Sequence, residues 1–420
     1  MTGFVRNYNA LQTVGDHELL IGRNRIRLDL DRSFSFGEAV LSNDVQQLYG
    51  NRIDSLSYRL REAYLDLYFE NSDLRLGRQI ITWGRADGSF ITDILTPIDL
   101  SEFLTQDFSD LKMGVTALSY TRYFGSDYLQ LVVNPFFRPN DVPEPNDRWF
   151  PRIFFNSGIP IAFQEYDLSF DLNDIQLAGR FAYRSDIDVE LDLGILYWHF
   201  PNPSYAKALV PAPGGATALQ LAETFTRSFI LTYSGLVKLD DGLFLKSEAA
   251  FYSDRSFDYL SDGLRSIDFE NPTPTEQAQL AAAFQQNSDG FLMERPWLTG
   301  MAGIEFSWEQ WTISGQVIDE LIFNHDDRIL QERHFWYSTL LLQRSFARDK
   351  FSFRGFGRYN LSGNDFWINP ELTYQRIDNF EAVAGTQLFG GDSPGRFYGH
   401  TSFDSYSRNS FVYLQLSLFF

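Results

Sequence analysis

Gaps of two alternating lengths punctuate this chain, and few architectures tolerate that rhythm. Eighteen stretches of alternating apolar and polar residues can be marked along it. Short gaps fall at Asp31–Ser33, Asn71–Ser72, Gly125–Asp127, Ser185–Asp186, Leu239–Asp241, Glu309–Gln310, Ala347–Asp349 and Ile377–Asp378, each with Asp, Asn, Ser or Gly turn chemistry. The connections between them run through residues 10–17, 46–57, 84–111, 138–172, 200–222, 255–295, 323–332, 361–364 and 390–408, and nearly all are longer. Tight turns on one rim and loops on the other are what an up-and-down antiparallel barrel in a bacterial outer membrane requires, and the strand count is then even. The expected fold is all-β, an antiparallel transmembrane barrel of about 18 strands, with 16 as the alternative.

Each stretch carries two rows of side chains. Leu20, Gly22, Asn24, Ile26, Leu28 and Leu30 alternate with Ile21, Arg23, Arg25, Arg27 and Asp29. Val189, Leu191, Leu193, Ile195 and Tyr197 oppose Glu190, Asp192 and Gly194. Period two with one polar row is the strand signature of a wall between lipid and water. Aromatics crowd the short turns, with Trp308 and Trp311 around Glu309, Tyr123 and Tyr128 around Gly125, and Tyr374 and Phe380 around Ile377, as in an interfacial girdle. The last stretch, SFVYLQLSLFF, sets Val412, Leu414, Leu416, Leu418 and Phe420 on one row, and it resembles the terminal strand of bacterial outer-membrane barrels. It is expected to pair with the first strand, around Phe4 to Asn9.

Composition removes the competing classes. Forty Phe, 21 Tyr and 8 Trp rule out a disordered chain, and a net charge of −20 does not suit nucleic-acid binding. No apolar run is long enough for a transmembrane helix. The absence of Cys is compatible with the periplasm, and MTGFVRNYN, which lacks an apolar core, reads as a mature start behind Met. A soluble sandwich or propeller is the alternative that alternation alone permits, but a propeller needs repeats that this chain lacks. One domain, residues 1–420, suffices.

A barrel of this size encloses more space than wall side chains fill, so something must narrow it. Residues 84–111, 138–172, 200–222 and 255–295 are the candidates for loop, plug or lid. The first carries Phe90, Ile91, Ile94, Leu95, Ile98, Leu100, Phe103, Leu104 and Phe108, too much apolar surface to leave in water, and is expected to fold into the lumen. An extracellular roof packed on itself is the alternative. In the last, Thr273, Pro274 and Glu276 form a helix start ahead of AQLAAAF, suggesting a short lid helix.

These four inserts hold more than half of the net negative charge. An acidic mouth repels anions, attracts cations or holds divalent ions that bridge lipopolysaccharide phosphates, and loop solubility alone also explains it. On the wall, Arg23, Arg25, Arg27, Arg354 and Arg358 form either a basic ladder for anionic solutes or a salt-bridge network with Glu62, Asp66, Glu190, Asp192, Glu305 and Glu371. Arg23, Arg25, Arg27, Glu62, Asp66, Glu190, Asp192, Arg354 and Arg358 are the expected pore-lining residues.

LREAYLDLYF, LRLGRQIITWGRADG, LTPIDL and PFFRP, between Leu60 and Pro139, resemble a poorly characterised proteobacterial family of porin-like outer-membrane barrels. The resemblance implies a large barrel in which Gly77, Arg78, Gln79, Trp83 and Gly84 lead from a strand into a long insert. Arg78 and Trp83 are then the candidates for anchoring it, through cation–π or hydrogen-bond contacts to its acidic residues. Some relatives stand beside RND-type exporters of lipidic or hydrophobic compounds, so the resemblance also implies an export route with a periplasmic partner.

The enzymatic alternative is thin. His400 and Ser402 in GHTSFD resemble the His-x-Ser arrangement of outer-membrane phospholipases, but Phe403 and Asp404 stand where that family has Asn-Gly. His17, His199, His325 and His334 are scattered, with no HExxH, no EF-hand loop and no cofactor motif. The expectation is a non-enzymatic channel in the bacterial outer membrane, bathed in lipid and lipopolysaccharide, moving small solutes. An outer-membrane component for lipid or hydrophobic-compound transport, and a barrel that sheathes a partner protein or electron-transfer chain, are the alternatives.

Overall fold

The computed structural model describes residues 1–50, 55–144, 147–150, 160–185, 188–211, 217–261, 263, 264, 267, 273–392 and 402–420. In chain order the strands are β1 (Thr2–Gln12), β2 (Leu19–Phe34), β3 (Gly37–Tyr49), β4 (Ser55–Phe69), β5 (Ser72–Gln79), β6 (Val115–Phe124), β7 (Asp127–Asn134), β8 (Ile161–Gln164), β9 (Gln176–Arg184), β10 (Val189–His199) and β11 (Ser204–Pro211). They continue as β12 (Thr217–Thr224), β13 (Arg227–Asp240), β14 (Leu243–Asp258), β15 (Leu292–Trp308), β16 (Trp311–Ile322), β17 (His334–Phe346), β18 (Phe351–Asn360), β19 (Asp365–Tyr374), β20 (Phe380–Gly391) and β21 (Phe411–Phe419). The helices used below are α1 (Phe108–Leu111) and α2 (Pro274–Gln286).

Eighteen of these strands form one antiparallel sheet that closes on itself, because β21 pairs with β1 from Phe4↔Phe419 to Gln12↔Phe411. Closure leaves no edge, and the backbone polar groups of the wall are paired across strands as lipid demands. The remaining three, β8, β11 and β12, make a small separate sheet from the long connections, with β11 antiparallel and β8 parallel to β12.

The period-two rows become the two faces of the wall. On β21, Val412, Leu414, Leu416 and Leu418 are exposed, while Phe411 and Ser417 are buried. Ile26, Leu28 and Leu30 face outward on β2, and Arg23 and Arg25 are buried inside. Trp308, Tyr123, Phe124, Phe36, Tyr68 and Phe69 are exposed around the short-turn rim. Among the described residues no helix is long and apolar enough to cross a membrane.

The first short turn lies elsewhere than expected. The polar cluster Asp31–Ser33 is not a turn but the end of β2, paired Asp31↔Val40, Arg32↔Ala39 and Ser33↔Glu38, and the chain reverses at Ser35 and Phe36. Alternation continues through the cluster, and ladder hydrogen bonds outweigh its local turn preference. Helix α2 starts with Thr273 accepting from the Glu276 amide while the Glu276 side chain accepts from the Thr273 amide, a complete capping box.

Candidate functional site

The wall is interrupted where β5 ends after eight residues. Gly77 sits in the left-handed region at φ 126°, and a Cβ there would lie 2.3 Å from the Ala63 carbonyl oxygen, so this close approach requires glycine. Glu62 on β4 accepts the Ile80 amide (2.9 Å), and the chain turns into the lumen. The Thr96 hydroxyl then accepts from the Ile81 amide and donates to the Ile81 carbonyl, both at 2.9 Å, closing the base of a loop.

From there residues 80–114 cross the barrel. Arg85 reaches Glu190 (2.6 Å) and Asp192 (3.1 Å) on β10, and its amide donates to Glu248 on β14. The same Glu248 accepts from the amide (3.3 Å) and hydroxyl (2.9 Å) of Thr92. Asp87 takes hydrogen bonds from Ser314 (2.6 Å) and Gln316 (2.8 Å) on β16. Gly88, at φ 72°, passes directly under the Phe356 ring of β18, where any Cβ would collide. The returning limb is held by Arg59 on β4 to Asp99 (2.6 Å), by Arg23 on β2 to Glu102, and by Gln387 on β20 to the Thr105 carbonyl (3.3 Å). Lys112 ties the two limbs together through Asp93 and Thr82. Apolar side chains fill the rest: Ile91, Ile94 and Leu95 pack with Trp198, Ile230 and Ile318 on one side, and Phe103 packs with Phe389, Phe403 and Tyr406 on the other.

The densest charge cluster surrounds Asp110 in α1. Arg6 (2.9 Å), Arg25 (3.0 Å), Arg27 (3.0 Å) and Arg61 (3.7 Å) converge on its carboxylate, from β1, β2 and β4. Burial acts to raise the Asp110 carboxyl, but these guanidiniums outweigh it and hold it well below the usual carboxylate range. Arg27 also grips Asp44 (2.7 Å), and Arg25 bonds Gln46 and Gln106. Burial likewise acts on Asp93, and there it wins over Lys112, leaving that carboxyl raised.

The arginine row thus lies inside the barrel, and its partners are Asp44, Glu102 and Asp110 rather than the wall carboxylates. Asp66 is engaged with Arg75 (2.7 Å), Asp192 with Arg184 (2.9 Å) and Arg85, and Glu305 with Lys246, while Glu371 pairs with the wall arginine Arg354 (3.5 Å) as the salt-bridge alternative expects. Arg358 lies over the Tyr337 ring at 3.7 Å and donates to Asn360 (3.0 Å). Trp83 is buried, its indole N–H donating to Gln130 (3.0 Å) with the Arg180 guanidinium 5.0 Å from its ring centre. Arg78 is different: its stem lies close against Gly114, and its Nε has no hydrogen-bond partner. His400 lies outside the described residues, and among those described no group of three His, Asp or Glu fits a metal ion.

Open space remains between insert and wall. One cavity, of about 350 Å³, lies between α1 and strands β1, β2 and β18–β21. Another, of about 370 Å³, lies beside Asp66, Arg75, Gln79, Gln130 and Arg180. No family model matches this chain, and no curated protein sequence matches it. Solved structures do. Acinetobacter baumannii OccAB3 superposes with a TM-score of 0.55 at 8% identity, covering 100% of this chain and 98% of its own. OccAB1 of the same organism gives 0.54 at 8% identity, with 100% and 95% covered. Pseudomonas aeruginosa OccK2 (OpdF), in complex with glucuronate, gives 0.51 at 10% identity, with 100% and 96% covered. This chain has the fold of a bacterial outer-membrane porin. Within that fold, the insert after β5 leaves the wall and reaches strands β10, β14 and β16.

Proposed function

We propose that this porin-fold chain is a non-enzymatic outer-membrane channel that moves small hydrophilic solutes through a lumen constricted by residues 80–114. The observation that carries the proposal is the insert itself, a segment fixed by ion pairs and hydrogen bonds to strands around the whole wall, with polar space left beside it. A lumen lined by arginines, carboxylates and amides favours water-soluble cargo over lipidic cargo. Its occupation by the chain's own residues argues against a sheath for a partner protein.

Planar-bilayer recording tests this. The native protein is expected to give small, stable unitary steps, and a variant with residues 84–111 replaced by a short Gly-Ser linker to give steps several times larger. Silence from both proteins would overturn the channel reading, and equal steps would remove the insert as the constriction.

A further inference from the structure

We infer that the space beneath α1 is a binding site for a neutral, polyhydroxylated solute of about single-ring size. The inference rests on the channel reading and names its cargo. At about 350 Å³ the space is at the lower end of small-molecule pockets, which run from roughly 300 Å³. It runs along β20 from Glu381, one position from one end of the β20–β21 ladder, to Gln387 at the other end.

Charge decides the class. Four cations line the space, Arg6, Arg23, Arg25 and Arg354. Four carboxylates face them, Asp107, Asp110, Glu371 and Glu381. Each of these cations already faces a carboxylate: Arg6 and Arg25 share Asp110, Arg23 meets Glu102, and Arg354 meets Glu371. An ionic solute would have to break one of these pairs or enter without a counter-charge, both costly away from bulk water. A neutral solute rich in hydroxyls meets donors and acceptors side by side.

Two further features suit such a solute. Phe108 and Tyr413 are half-buried, leaving aromatic surface for the C–H face of a ring, while Asp107 is exposed into the space as an acceptor. On three residues that line it, the Tyr8 hydroxyl, the Thr105 hydroxyl and Arg23 Nε are buried without hydrogen-bond partners. Three unsatisfied polar atoms around one space are unusual, because buried polar groups are nearly always paired.

The test uses one ring in three charge states: glucose, glucuronate and glucosamine. Calorimetric titration of the full-length protein in detergent measures binding, and liposome swelling measures passage. Glucose is expected to bind at least about tenfold more tightly than either charged analogue, a gap of about 1.4 kcal/mol. Tyr8→Phe and Thr105→Val, which remove only a hydroxyl, are expected to weaken glucose by about three- to tenfold each, as loss of one hydrogen bond does. Asp107→Asn, which leaves one cation in excess, is expected to shift preference toward glucuronate. Tighter binding of a charged analogue, or glucose binding unchanged in both hydroxyl variants, would overturn the assignment while leaving the channel reading intact. Glucose binding without passage of any of the three would instead sink the channel and keep the site. Passage without measurable glucose binding would do the reverse.

Discussion

Asp110 is the residue on which the insert's charge balance turns. Four guanidiniums approach it within 4 Å, so removing its charge leaves cations buried without their counter-ion. Asp110→Asn is expected to destabilise the insert by about 3 kcal/mol, the scale of a broken buried pair, and to make the pore anion-preferring. Reversal potentials across a salt gradient measure this, and an unchanged preference would mean that Asp44 and Glu102 already suffice. The pH dependence has a definite sign. Asp110's folded value lies below the ~3.9 of an unstructured Asp, so its stabilising contribution is complete above about pH 5 and is lost as pH falls through the lowered folded value. Ion preference should therefore stay level from pH 7 to about pH 5, and a shift inside that window would point to another group. The arginine row was legible in the sequence because Arg23, Arg25 and Arg27 obey period two. Their partners were not, because Asp110 and Glu102 come some 80 residues later in a segment with no period, where only the topology brings them to β2. Of the wall carboxylates that charge counting offered, Asp66, Asp192 and Glu305 meet cations outside that row, Glu62 accepts the Ile80 amide, and Glu371 meets Arg354.

At the scale of elements, the insert shows what periodicity can and cannot supply. Its length, apolar content and entry motif mark it as something other than a loop in water, and Trp83 at its start is buried against Gln130 and Arg180. The anchors on the far wall left no such mark: Glu248 is one carboxylate on the inward row of β14, and nothing in LFLKSEAAF distinguishes it from a lumenal acid. The structure gives it the Arg85 amide and the Thr92 amide and hydroxyl. Glu248→Ala, which leaves these donors without their acceptor, is expected to cost about 1–3 kcal/mol locally and to make the conducting state flicker. Single-channel noise reports it, and a quiet trace identical to the native one would show that Arg85 and Asp87 hold this limb without it. The misplaced β2–β3 turn has the same cause on a smaller scale. Asp31–Ser33 has the composition of a turn, but ladder pairing with β3 runs through it to Phe34.

The whole molecule is a closed wall, and closure explains why the gross fold was so readable. Once every second residue must face lipid and every strand must pair on both sides, alternation and gap length leave little freedom in strand number or order. Only the interior stays open, since a ring of this many strands sets no path for the segment that fills it. The last strand offers a direct test, because adjacent residues on it face different media. Leu414 is exposed on the outer face near the middle of β21, and Gln415 lines the space beneath α1. Leu414→Arg is expected to cost about 2–4 kcal/mol, the price of a cation near the bilayer midplane. Gln415→Arg, one position along, is expected to leave stability nearly unchanged and to shift ion preference toward anions. Urea unfolding in lipid vesicles, followed by tryptophan fluorescence, separates the two. Equal costs at both positions would mean that β21 does not stand between lipid and lumen, and with it would fall the pairing of β21 to β1 that closes the barrel.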